Sequence, residues 1–198
     1  MRPAAGAGSL AAAFARPWPR DWYARDAASV ARDLLGSILV RRGPDGFRAL
    51  RLVETEAYGS DDPASHAYRG PTARNRSMFG PPGTLYVFPL HRVHLANAVA
   101  RRGEAVLFRG GVPVAGIAGP APGPGRLAAA LGISRADDGM DLLRSEVRIL
   151  PGDGPAPEIR SGPRIGISRA RERPLRFWVP GSPGVSRPPA GYLSLAQS

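Results

Sequence analysis

Apolar and polar positions alternate along this chain in short blocks, cut repeatedly by glycine and proline. Residues 22–36, "WYARDAASVARDLLG", place Ala27, Val30, Leu34 and Leu35 on one helical face, and Gly36 suits a helix end. "SILVRR" then reads as a strand, "GPDG" as a turn, and "FRALRLVETEAY" as the antiparallel partner. Residues 59–83 are rich in Gly, Pro, Ser, Asp and Arg and predict a long loop, a feature often functional in a compact domain. "GPPGTLYVFPL" predicts a turn and a strand. "HRVHLANAVARRGEAVLFRGGVPVAG" predicts a short helix or strand and then a clear strand over 104–109. Residues 125–134 carry Leu127, Ala130 and Leu131 and predict a helix. Residues 151–164 predict a Pro/Gly-rich loop, and "LRFWVPGSPGVS" a last strand entering a turn. No internal repeat or linker interrupts the pattern, so one mixed α/β (α+β) domain is expected.

Composition narrows the function. The 198 residues, 43% hydrophobic and 22% charged, suit one globular domain with a sizeable core. No apolar run approaches the roughly 20 residues of a membrane span. Residues 1–20 mix Ala-rich patches with arginine and have no acidic residue; a loose, solvated tail is expected there. The net charge of +11 favours a polyanionic partner, with nucleic acid as the default. There is no cysteine, which excludes disulfides, zinc fingers, Fe–S clusters and thiol nucleophiles. There is no lysine either, so all 27 basic residues are arginine and no lysine can form a Schiff base.

The candidate chemistry is concentrated in "LRLVETEAYGSDDPASHAYRGPTARNR", residues 50–76. In an extended strand alternate residues share a face, so Leu50, Leu52, Glu54, Glu56 and Tyr58 are expected to point one way. Residues two apart on a strand are roughly 6.5–7 Å apart, near the carboxyl separation of inverting glycosidases. Two readings stand at this point: a working carboxylate pair, or strand glutamates paired with arginines. His66 lies in the polar loop. His91 and His94 have i, i+3 spacing, but no third ligand has an evident spacing, so no metal is expected. "RGPTARNR" concentrates three arginines with Thr72 and Asn75, a composition suited to phosphate contacts. Tyr86 and Phe88 share a strand face, which fits a core or a platform for an extruded base.

Together these segments resemble the alkyladenine (3-methyladenine, methylpurine) DNA glycosylase family. "ARDLLGSILVRR", "VETEAY", "SHAYRGPTARNRSMFGPPGTLYV", "AVLFRG", "GPGRLAAALGI" and "RPLRFWVPGSPGVS" occur in the family's order, over roughly residues 22–187. The resemblance implies a single compact domain, 21–190, between tails at 1–20 and 191–198. Its fold would be a curved antiparallel β-sheet with surrounding helices and a protruding β-hairpin. It implies a monomer, cytoplasmic and nucleoid-associated in a bacterium, that takes double-stranded DNA containing damaged purines and uses no metal or cofactor. The damaged nucleotide would be flipped into a pocket and its base displaced by water, leaving an abasic site.

Carried over position by position, Glu56 is the expected general base, and Arg109 helps hold its water. The Ile165 backbone carbonyl is the water's third ligand. Tyr58 and Phe88 stack on the base, His66 contacts the flipped nucleotide and Asn97 reads the purine edge. Thr72 and Arg74 meet phosphates. Glu54 is then expected to be structural, paired with an arginine.

The sequence departs from the family at "FPLHRVHLAN", where the family has a Tyr-Gly-Met-aromatic stretch whose tyrosine fills the gap left by the flipped base. A gap-free match puts His91 in the tyrosine's place and Arg92 in the glycine's. Asn97 then arrives one residue early, so a deletion is implied within 88–96, and Pro89 is expected to disturb strand pairing. That departure keeps a second reading open: a catalytically weak DNA-binding paralogue that recognises modified bases. A glycosidase using both Glu54 and Glu56 on another N-glycoside is a third.

Overall fold

The computed structural model describes residues 7–187. In chain order its elements are helices α1 (Ala7–Phe14), α2 (Arg20–Tyr23) and α3 (Ala27–Asp33), then strands β1 (Ile38–Gly43) and β2 (Gly46–Tyr58). Strands β3 (Leu85–Leu90), β4 (Val93–Val99), β5 (Ala105–Ala115) and β6 (Ala121–Pro122) precede helix α4 (Pro124–Leu131). Strands β7 (Val147–Leu150), β8 (Arg160–Gly162) and β9 (Arg176–Trp178) follow. All pair antiparallel in one curled sheet of order β3-β4-β5-β2-β1-β7, with β6 on β5, and β9 between β2 and β8. The expected α+β architecture is therefore the one observed, with β2 as the spine: β5 runs along one edge, and β1 and β9 share the other.

Several predicted boundaries move for local reasons. The helix expected over 22–36 is two helices, because the Asp26 side chain accepts the Ser29 N–H at 2.8 Å and starts α3 afresh. The helix expected over 125–134 ends at Gly132, whose φ of 67° is the left-handed cap that glycine adopts without strain. Residues 7–14, expected in a loose tail, form α1. It lays Leu10 and Phe14 over Ile38, Val40, Ala49 and Leu150, and each such buried side chain contributes about 1.5–3 kcal/mol. Residues 1–6 and the tail expected over 191–198 lie outside the described residues. Pro89 does not disturb pairing: it sits opposite His94 on β3, an edge strand of the sheet, where a missing N–H is tolerated.

The strand carrying the two glutamates is not an unbroken one. Leu52 pairs with Gly111 but Glu54 with Gly110, so Val53 is an extra residue on β2; Thr55 then pairs with Phe108, which leaves Arg109 extra on β5. A bulge of this kind reverses which residues share a face. Leu50, Leu52 and Ala57 face the main core with α3 and α4, and Thr55 Oγ1 donates to the Ala31 carbonyl of α3 at 2.8 Å. Glu54, Glu56 and Tyr58 are thereby turned to the opposite side. This corrects the expected shared face with Leu50 and Leu52, and it delivers the acids where a core does not need the space.

Candidate active site

On that opposite side lies a cavity of about 610 Å3, within the range of small-molecule sites. Its walls come from β2 (Tyr58), β3 (Tyr86, Phe88, Leu90), β4 (Leu95, Asn97), β5 (Leu107, Arg109), the loop around His66 and the segment Ile165–Arg169. Glu56 is fully buried and lies just behind the wall. Its Oε1 accepts the Ile165 N–H at 2.7 Å, its Oε2 accepts the Tyr58 hydroxyl at 2.8 Å, and Arg109 Nη1 reaches Oε2 at 3.3 Å. All three of these partners line the cavity. Burial raises the Glu56 pKa above the usual carboxylate value, against the pull of Arg109, the Ile165 amide and Tyr58. Burial and the Glu56 charge together push the Tyr58 phenol up, so it stays a donor.

Glu54, also fully buried, is occupied on every side. Its Oε1 accepts from Arg176 Nε (2.7 Å), Ser186 Oγ (2.7 Å) and Arg109 Nε (3.1 Å), and its Oε2 from the Ser186 N–H (2.6 Å). Glu54 is thus paired with arginines as expected, with two of them rather than one. Close backbone approach brings Ser186 here. A Cβ on Gly110 would meet the Gly184 carbonyl oxygen at 2.1 Å, and one on Gly184 would meet the Gly111 oxygen at 2.5 Å. The glycines of "FRGG" and "SPGVS" let the C-terminal segment lie directly on β5.

The aromatic wall is built as a cluster. The rings of His66 and Phe88 are 4.1 Å apart, and His66 Nδ1 is 3.0 Å from the Tyr86 hydroxyl. Desolvation lowers the His66 pKa, which favours the neutral ring. Asn97 is buried, and its Nδ2 donates to the carbonyls of Tyr86 (3.0 Å) and Leu95 (3.1 Å). Both its amide hydrogens are spent on backbone, so the group it can offer a ligand is its acceptor oxygen.

Glu56, Arg109, Ile165, Tyr58, His66, Phe88 and Asn97, predicted from six separate stretches, therefore meet at one place. The Ile165 contact with Glu56 runs through its N–H. Thr72 and Arg74 line a neighbouring cavity of about 320 Å3 that shares His66, Phe88 and Arg169 with the first. Asn75, grouped with the phosphate-contacting residues by composition, instead holds the loop together. It is buried, and its Nδ2 donates to the carbonyls of His66 (2.8 Å) and Gly70 (3.2 Å). His91 and Arg92 form the two-residue turn of the β3–β4 hairpin, with His91 at a φ of 52°, and neither lines the cavity. Leu90 does, and it is 43% exposed.

Sequence reasoning missed the support behind the wall. Arg164, fully buried, pairs with the equally buried Asp62, donates to the Ala57 carbonyl at 2.9 Å and lies 4.6 Å from the Tyr58 ring. It anchors the segment that carries Ile165 to the strand that carries Glu56. The pair is 102 residues apart in the chain, and no local pattern announces it. Among the described residues no group of three His, Cys, Asp or Glu side chains could hold a metal ion, and no helix is long and apolar enough to cross a membrane.

Known proteins resemble this chain over most of its length. The family model described as Methylpurine-DNA glycosylase (MPG) matches residues 21–183. A protein of Anaeromyxobacter dehalogenans (strain 2CP-1), named "Putative 3-methyladenine DNA glycosylase", is 44% identical over 182 residues, covering 87% of each chain. Proteins of the same name from Rubrobacter xylanophilus and Methanocella arvoryzae are 46% and 44% identical. They cover 79% and 88% of this chain, and 90% and 98% of their own. The family-model match takes in every element from α3 to β9, and with them the glutamate pair and the aromatic wall. The chain belongs to the methylpurine-DNA glycosylase family.

Proposed function

We propose that this protein excises alkylated or deaminated purines from duplex DNA by hydrolysis of the N-glycosidic bond, with Glu56 as general base. The observation that carries the reading is the buried Glu56 carboxylate, bonded to three groups that all line one cavity. In this reading the flipped base lies between Tyr58 and the His66–Phe88 pair, where ring faces offer stacking without sequence preference. A water beside Arg109 gives a proton to Glu56 as its oxygen bonds to C1′. The C1′–N bond breaks with its electrons passing to the departing base. A carboxylate whose pKa burial has raised is a stronger base than a solvated one, which suits that step. Cationic alkylpurines leave readily, whereas neutral lesions need a proton on the base as well.

The product is free base and an abasic site; with no lysine in the chain, no lysine Schiff base forms to cleave the strand. Exposed arginines at 69, 74 and 76 contact phosphates, a sequence-independent attraction consistent with the net charge of +11. The tip of the β3–β4 hairpin fills the gap in the duplex, with Leu90 beside His91 as the inserted group.

The experiment incubates the protein with duplexes containing hypoxanthine, ethenoadenine or methylated purines and then cleaves abasic sites with alkali. Release by the unsubstituted protein, lost in Glu56→Gln, is expected. Tight binding of every duplex with no release from any would favour the paralogue that recognises without cutting.

A further inference from the structure

Glu54 has no part in the reaction as written above, yet it is fully buried and shares Arg109 with Glu56. Arg109 Nε lies 3.1 Å from Glu54 Oε1 and 3.3 Å from Glu56 Oε1. We propose that Glu54 is a positioning residue for the glycosylase reaction, competing with Glu56 for Arg109 and so keeping Glu56 from being tied up in a closed ion pair. The inference rests on the reading of Glu56 as the base.

The surroundings support a balance rather than a passive support. Two carboxylates, Glu54 and Glu56, meet two guanidiniums, Arg109 and Arg176, out of water. The groups facing Glu56 are Arg109 from β5, Tyr58 and Glu54 from β2, and the Ile165 N–H from the segment after β8. Those facing Glu54 are Arg109, Arg176 from β9, and both the hydroxyl and the N–H of Ser186. A wholly structural glutamate needs only the Arg176 and Ser186 contacts. The additional bond to Arg109 places its charge on the one cation that also contacts the proposed base. A like charge close by favours the protonated form of Glu56, and a cation favours the ionised form. Both enter here, so Glu54 and Arg176 must act on Glu56 in opposite directions.

The test follows single-turnover release of hypoxanthine from duplex DNA across pH. It compares the unsubstituted protein, Glu54→Gln, Glu54→Asp and Arg176→Gln, and records the thermal unfolding of each. In Glu54→Gln the acid limb is expected to move down by roughly one to two pH units, and the plateau rate to fall about tenfold or more. Glu54→Asp, which keeps the charge, restores the limb. Arg176→Gln, which frees Glu54 to draw Arg109 away, moves the limb up; this arm decides the matter if Glu54→Gln does not fold. Variants that lose unfolding temperature but keep the limb in place would reduce Glu54 to a structural role and overturn the inference alone. So would a Glu54→Gln protein equal to the unsubstituted one, with Glu56→Gln inactive. Absence of release by the unsubstituted protein from any damaged duplex would overturn the glycosylase reading, and this inference with it.

Discussion

Substituting Asp62 by Asn tests how the site is held together. Asp62 and Arg164 are both fully buried, and Arg164 also bonds the Ala57 carbonyl of the β2 strand at 2.9 Å. Asparagine keeps the size of the side chain and the oxygen that accepts the Ala64 N–H at 2.9 Å, but removes the charge. The buried Arg164 then keeps its charge while the carboxylate of this pair is gone, and breaking a buried pair by removing one partner costs about 3–5 kcal/mol. With no exposure at either group, solvent screening does not reduce that figure. In a domain of this size each kcal/mol lowers the unfolding temperature by roughly 2–4 °C, so a fall of about 6–20 °C is expected. Equilibrium urea unfolding should show a lower midpoint with an unchanged slope. Because Arg164 precedes Ile165, whose N–H bonds Glu56, base release should slow as well. Adding Arg164→Met to Asp62→Asn should recover part of the lost stability, since the buried charge is then removed as well. A loss below about 1 kcal/mol for Asp62→Asn would mean that this pair does not hold the site, as would a double variant less stable than the single.

Three further outcomes follow from the same geometry. Gly110→Ala places a methyl 2.1 Å from the Gly184 oxygen. The C-terminal segment must then shift, and a loss of about 1–3 kcal/mol is expected in urea unfolding, together with slower base release as Ser186 leaves Glu54. At the hairpin tip, Leu90→Ala should slow release from duplex DNA by about tenfold, and by less from single strands, where no gap has to be filled. His91→Ala should do the same more weakly; equal rates on duplex for both variants and the unsubstituted protein would remove the wedge from this hairpin. A pH profile of release should rise as Glu56 loses its proton and then level. Burial raises its pKa, so the limb lies above the ordinary Glu value of about 4.3, and a limb at or below that value would contradict the electrostatics.

Much of this fold and site is legible in the sequence, and the parts that are not share a physical cause. The β1–β2 hairpin, the β3 strand and α4 follow from periodicity and turn residues acting over a few positions. Arg109, Asn97 and Ile165 enter the candidate site only through resemblance in motif and order, whereas Glu56, Tyr58 and His66 stand out in the sequence itself. Spacing alone paired Glu54 with Glu56 and left their roles open. The side on which the glutamates lie was not legible, because alternation assumes an unbroken strand and Val53 is an extra residue. The Asp62–Arg164 pair and the Gly110–Gly184 contact join segments that only the folded chain brings together. The start of α3 at Asp26 was readable as an N-cap, yet the apolar spacing across 22–36 concealed it.

In the proposed mechanism Glu56 activates water against a base held in the adjoining cavity. Its most direct test is single-turnover base release by Glu56→Gln, with duplex binding measured on the same substrate. Glutamine keeps the shape but is a far weaker base, so binding should stay within a few-fold of the unsubstituted protein while release falls by about 10² to 10⁴. Release at the unsubstituted rate, with binding intact, would contradict this mechanism.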